Sequence, residues 1–199
     1  MPERESRKFD PARAPLLDSA ERDAFLPDGA VVDLLELTGI ETVLDYGAGS
    51  GRVALAAAAR LADGRVIAVD ESPEMIALLR QRVADAANVE VMAIHDNTVP
   101  LEDESVDRIL TINVLHEVRG EGALAEMHRL LSSTGLLLVV DWDLERPSEP
   151  GPPAHLRYSR SEAAEECAAA GFEVQPIDAE LPYHFVLSAR RRRRGEWTI

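Results

Sequence analysis

From about Glu41 onward, short apolar runs rich in β-branched residues alternate with segments of helical period. No other feature constrains the fold so strongly, because such alternation builds a mostly parallel sheet with helices on both faces. Thr42 to Tyr46 reads as the first strand, and the Ala-rich segment Arg52 to Leu61 as the helix after it. Arg65 to Asp70 is the second strand. Ser72-Pro73-Glu74 then opens a helix: serine suits the N-cap, proline the first helical position, and glutamate the positive end of the helix dipole. Met75, Leu79 and Val83 follow at a spacing of four, as a buried stripe requires. Val89 to Ile94, Val106 to Asn113 and Leu136 to Trp142 read as strands three to five. The unbroken run Leu136 to Val140 suits a strand covered on both faces. A helix of about Gly122 to Leu131 precedes strand five, closed by a turn at Ser132-Ser133-Thr134-Gly135. Ser159-Arg160-Ser161-Glu162 fits a capping box, with Gly171 ending that helix. Phe172 to Ile177 and Tyr183 to Ala189 are joined too closely for a crossover, so they form a hairpin. The expectation is a doubly wound α/β sheet of seven strands, mostly parallel, with an antiparallel last strand.

Asp28 to Leu37 reads as an amphipathic helix on the sheet edge, and Pro147 to Pro153, with four prolines in seven residues, as a loop. At 199 residues the chain suits one domain. Residues 1–27 read as a leader with a short helix, 28–190 as the domain and 191–199 as a basic tail. The run Arg190 to Arg194 is expected to be solvated. Met1 to Pro15 lacks the apolar core of a signal peptide. The longest apolar run, Val53 to Ala59, is too short to span a bilayer, so no membrane partner is expected. With 36 acidic against 21 basic residues the net charge is -15, which repels a polyphosphate backbone and makes nucleic acid a poor partner. Lys8, the one lysine, sits in the leader, so interior Schiff-base chemistry is excluded. The single cysteine, Cys167, supports neither an internal disulfide nor a zinc site alone, so a reducing cytoplasm and no metal are expected.

Gly47, Gly49 and Gly51 lie between strand one and its helix. Bare backbone there would let a ligand approach outward-pointing N–H groups. The dinucleotide pattern G-x-G-x-x-G/A fails, because its sixth position is Arg52. Asp45, two residues before the first glycine, would repel a pyrophosphate and suits a cationic ligand instead.

Val43-Leu44-Asp45-Tyr46-Gly47-Ala48-Gly49-Ser50-Gly51 resembles motif I of the class I S-adenosylmethionine-dependent methyltransferases. Asp70, nineteen residues past Gly51, resembles the family's ribose-binding acid, and Asp96-Asn97 its adenine-contacting pair. Val106 to Leu110 with Asn113-Val114-Leu115-His116 resembles the fourth-strand segment. Leu130 to Leu136 resembles the passage into strand five, so the likeness spans about Val31 to Arg190. It implies a Rossmann-like fold and S-adenosylmethionine as cofactor, with S-adenosylhomocysteine as product. The implied cofactor shell is Asp45, Tyr46, Gly47, Gly49, Gly51, Asp70, Glu71, Met75, Asp96, Asn97 and Asn113.

Methyl transfer from a sulfonium leaves a neutral thioether, so catalysis can rest on alignment and desolvation. A base is needed only where the acceptor must lose a proton. His116, just past strand four, is the best-placed catalytic candidate; Trp142, His155, Tyr158 and His184 are candidates for an acceptor pocket. Strand four lacks the Asn/Asp-Pro-Pro-aromatic signature of amino-group nucleic-acid methyltransferases, and one cysteine falls short of the set arsenite methyltransferases use. The expected acceptor is a small molecule methylated at oxygen, nitrogen or carbon. The alternatives are a non-catalytic S-adenosylmethionine-binding regulator and an NAD(P)-dependent oxidoreductase.

Overall fold

In the computed structural model, which describes residues 8–192 apart from 121, 148 and 178, seven strands form one sheet. They are Thr42–Tyr46 (β1), Arg65–Asp70 (β2), Val89–Ala93 (β3), Val106–Ile112 (β4), Leu131–Trp142 (β5), Phe172–Gln175 (β6) and His184–Arg191 (β7). Their order is β3-β2-β1-β4-β5-β7-β6. The first five pair in parallel, and β7 runs antiparallel to both its neighbours, as the short link predicts. The chain winds outward from β1 to β3, then returns to start β4 beside β1. That reversal opens a crevice past the carboxyl ends of the strands. Residues 1–7 of the expected leader and 193–199 of the expected basic tail lie outside the described residues.

Side chains alternate across the pleat, so each strand feeds two cores. Leu44, Ile67, Ile109, Leu137 and Val139 pack against helices Ala123–Leu130 (α5) and Arg160–Ala169 (α6), through Met127, Leu130, Ala163 and Cys167. Val43, Val66, Leu110, Leu138 and Val140 face the other way. They meet helices Asp28–Asp33 (α2), Arg52–Ala58 (α3) and Pro73–Arg82 (α4) through Val31, Val32, Ala54, Ala57, Ile76 and Leu79. The caps form as read: the Ser72 hydroxyl accepts from Met75 N–H at 3.3 Å, and Ser159 and Glu162 complete a reciprocal capping box. Gly171 ends α6 at φ 97°.

Several boundaries differ from expectation, and the largest departures are at α2, α3 and β5. α2 and α3 are shorter than their apolar patterns, because their last turns tighten to three-residue hydrogen bonds, from Leu34 to Val31 and from Arg60 to Ala57. The expected turn at 132–135 belongs instead to β5, where the pairing steps from Val106↔Leu131 to Arg108↔Leu136. Two steps along β4 therefore face five along β5, and the surplus forms a bulge. Arg190 donates to its Thr134 carbonyl at 2.9 Å. The leader carries a 3-10 segment, Pro11–Asp18, and a short helix, Ala20–Phe25 (α1). Among the described residues no helix is long and apolar enough to cross a membrane.

Candidate active site

The carboxyl ends of β1 to β4 surround a cavity of about 510 Å³. Of the residues expected to form a cofactor shell, Asp45, Tyr46, Gly47, Gly49, Asp70, Glu71, Met75, Asp96, Asn97 and Asn113 line it. Gly51 does not: a Cβ there would overlap the side chain of Leu79, so this glycine serves the packing of α4 under the turn. Gly47, at φ 78°, could carry no side chain without striking Val114 across the crevice. Four of the turn's donors are turned inward. Gly47 and Ala48 N–H both donate to the Val69 carbonyl at 2.9 Å, Gly51 N–H donates to Ala48, and Gly49 N–H donates to Asp70 Oδ2 at 2.8 Å.

The loop thus holds Asp70 in place. Asp70 accepts a second bond from Ser72 N–H at 2.9 Å, and burial raises its carboxyl above the usual range despite those donors. Asp45, one residue before the end of β1, is almost wholly buried, and its Oδ2 has no hydrogen-bond partner among the described residues. Burial, then repulsion from Asp70 and Asp28, pushes its carboxyl up to about 7, against a hydrogen bond from Ala54 N–H. Asn113, left-handed at φ 58° just past β4, also buries an unpartnered acceptor, Oδ1. An unsatisfied buried acceptor is costly. Two on one cavity wall fit a ligand that brings N–H donors and positive charge. The ammonium of a methionine moiety meets that description.

Asp96 and Asn97 follow β3 in left-handed geometry, at φ 51° and 59°. Tyr46 donates its hydroxyl to Asn97 Oδ1 at 3.0 Å, so the tyrosine braces the pair from within the core. Glu71 is held by Lys8 at 2.8 Å. Met75 lines the cavity from the first turn of α4.

His116 is not on the cavity wall. Asp141, fully buried on β5, accepts from its backbone N–H at 3.0 Å and sits 2.7 Å from its Nδ1. Burial opposes charge on His116, but the attraction and hydrogen bond of Asp141 outweigh it and raise the imidazole above its usual value. His116→Ala is therefore expected to leave S-adenosylhomocysteine affinity within about twofold by calorimetry, a change of under ~0.5 kcal/mol; a large loss would place the ring in the ligand shell.

The four acceptor-pocket candidates do not reach the cavity either. Tyr158 is buried under the Arg119 guanidinium, 3.6 Å above its ring, with its hydroxyl on Glu166. His184 packs 4.2 Å from Trp142 and close to Phe25, and burial lowers it to about 4. His155 lies exposed in a short 3-10 segment, Ala154–Leu156. The cavity is instead completed by residues the motif reading passed over: Lys8, Phe9 and Leu17 from the leader, and Glu117 after β4. The adjacency of Glu117 to His116 was the one sequence signal for it. Among the described residues no cluster of three His, Cys, Asp or Glu is placed to hold a metal.

Sheet order and crevice together define a Rossmann-like α/β protein. Residues 44–139 match the family model described as a methyltransferase domain. A structure of an S-adenosylmethionine-dependent methyltransferase from Aquifex aeolicus superposes with a TM-score of 0.84 at 30% identity, covering 92% of this chain and 98% of that one. The chain belongs to the S-adenosylmethionine-dependent methyltransferase family, which displaces the oxidoreductase alternative. An uncharacterized methyltransferase-like protein of Schizosaccharomyces pombe is 35% identical over 117 residues, 59% of this chain and 43% of that protein. An arsenite methyltransferase of Halobacterium salinarum is 36% identical over 107 residues, 51% of this chain and 27% of that protein. The chain spans less than half the length of these curated relatives.

Proposed function

We propose that this protein transfers the methyl group of S-adenosylmethionine to a small-molecule acceptor at oxygen, nitrogen or carbon. The observation that carries this reading is the pair of unpartnered buried acceptors, Asp45 Oδ2 and Asn113 Oδ1, on the wall of the crevice. They suit the ammonium of the methionine moiety. Asp70 keeps lone pairs for the ribose hydroxyls beyond its two backbone bonds. Asp96 and Asn97, one strand further out on the same cavity, are the residues we assign to the adenine. Bound there, the cofactor supplies a methyl carbon whose departure leaves neutral sulfur, so these residues need only bind, orient and exclude water.

A small acceptor is supported by the net charge of -15, unfavourable to nucleic acid, and by a concave site of ligand size. Arsenite is a poor fit, since the sole cysteine, Cys167, is buried in α6. A reducing cytoplasm suits that free thiol. Calorimetry with S-adenosylmethionine, S-adenosylhomocysteine and NADH tests the cofactor: the first two should bind and the third should not. Asp70→Ala is expected to weaken S-adenosylmethionine by ~1–3 kcal/mol, the range for losing a charged hydrogen-bond partner; unchanged affinity would remove the ribose assignment. Turnover of the methyl donor against a metabolite panel then tests transfer itself.

A further inference from the structure

We propose that Glu117 takes the acceptor's proton during transfer, and that the acceptor is a neutral protic nucleophile such as a hydroxyl, thiol or amine. The inference rests on the methyl-transfer reading above and follows from how the sheet order lays out the crevice. The ends of β3, β2 and β1 supply Asp96 and Asn97, Asp70, and Asp45 in turn. With base, sugar and amino acid so assigned, the methyl and its acceptor fall on the β4 side. The segment after β4 puts Asn113, Val114, Glu117 and Val118 on the cavity wall, and Glu117 is the ionisable one among them.

Asp45 and Asp96 apart, assigned above to the amino acid and the base, the other charged groups of the wall have partners of their own. Asp70 holds two backbone donors, Glu71 holds Lys8, and Glu74 accepts from the Ser72 hydroxyl at 2.9 Å. Arg22 is paired with Asp28, and Arg52 with Asp23 and Asp28. Glu117 is held in place by its own N–H donating to the Val114 carbonyl at 2.9 Å, and it shares the cavity wall with Lys8 and Phe9 of the leader. Its charge is set from both sides. Burial pushes the carboxyl up to about 7, with Asp141 adding to the rise and His116, Phe9 N–H and Lys8 opposing it. A carboxyl of that strength changes charge near neutral pH, as an efficient proton acceptor should.

The step balances without a further reactant. A lone pair of the acceptor forms the bond to the methyl carbon, the electrons of the carbon–sulfur bond stay on sulfur, and the acceptor's proton passes to a Glu117 oxygen.

Sinefungin tests this without knowledge of the acceptor, because it carries an amine-bearing carbon where the cofactor carries its methylated sulfur. In Glu117→Gln, which keeps the side chain's size and removes its charge, sinefungin affinity is expected to fall by about tenfold or more, as for a lost charge-assisted hydrogen bond. S-adenosylhomocysteine affinity should stay within about twofold. The wild-type preference for sinefungin over S-adenosylhomocysteine should also fade as pH drops below about 6 and Glu117 is protonated. Equal losses for both ligands, or no loss for either, would overturn the role of Glu117. Failure of wild-type protein to bind S-adenosylhomocysteine at all would instead overturn the methyl-transfer reading beneath it.

Discussion

Asp45→Asn is expected to make the ligand-free protein more stable at pH 8 while weakening S-adenosylmethionine by at least about tenfold. The carboxyl is raised from an ordinary 3.8 to about 7 in the folded state, by burial first and by Asp70 and Asp28 second. A raised carboxyl contributes stability fully only below its unfolded value. As pH climbs from about 4 to about 7 the unfolded chain gives up this proton first, and stability falls until the folded carboxyl has ionised too. The rise from 3.8 to about 7 corresponds to at most ~4 kcal/mol at pH 8, and relaxation around the site would reduce it. Asparagine cannot ionise, so it escapes that loss, but it offers a ligand ammonium no charge. Urea midpoints of the two proteins should lie closer at pH 5 than at pH 8. Glu117 imposes a similar slope on both, so the difference between them isolates Asp45. Equal differences at the two pH values would show that this carboxylate is not strained by its surroundings.

Asp141→Ala should cost ~3–5 kcal/mol of stability, the range for stripping one partner from a buried charged pair. Asp141 is fully buried and accepts from His116 N–H, His116 Nδ1 and Trp142 N–H, the last at 2.7 Å. Alanine abandons all of these groups inside the protein. Asp141 raises the His116 ring against burial, so the pair's ionic share is fully present below the unfolded imidazole value and is lost as pH rises through the folded one. The gap between wild type and variant should therefore narrow at alkaline pH in urea titrations. A loss under about 1 kcal/mol would mean that the pair carries no such load.

What the sequence made legible follows from how local each signal is. The strands of the first half announce themselves because apolar runs such as Val66 to Val69 are buried on both sides, and Ser72-Pro73 needs only its own neighbours to start a helix. Asp45 and Asp70 were readable from their spacing to the glycines. The bulge in β5 was not: Ser132, Ser133, Thr134 and Gly135 have turn composition, and only pairing with Val106 across the sheet shows that the strand has already begun. The place of Gly51 off the cavity wall was not legible, because a glycine packed against the Leu79 side chain of another helix looks, in sequence, like one kept for a ligand. Glu117 went unread because its environment is assembled from Phe9, Lys8, His116 and Asp141, remote segments for the most part. His116 drew notice as a histidine at a strand end, yet chain order does not say that Asp141 waits beneath it.

The surplus residues where β5 begins have a use beyond shape. They sit at the pole opposite the crevice, separated from Trp142 by most of a strand, roughly 20 Å at the usual rise from Leu136. Ser133 and Thr134 are exposed there. Extra length or a reporter group inserted at that corner would be absorbed by backbone that already lies outside the regular ladder, leaving the rim of the crevice in register. The fold thus offers an attachment point insulated from its chemistry.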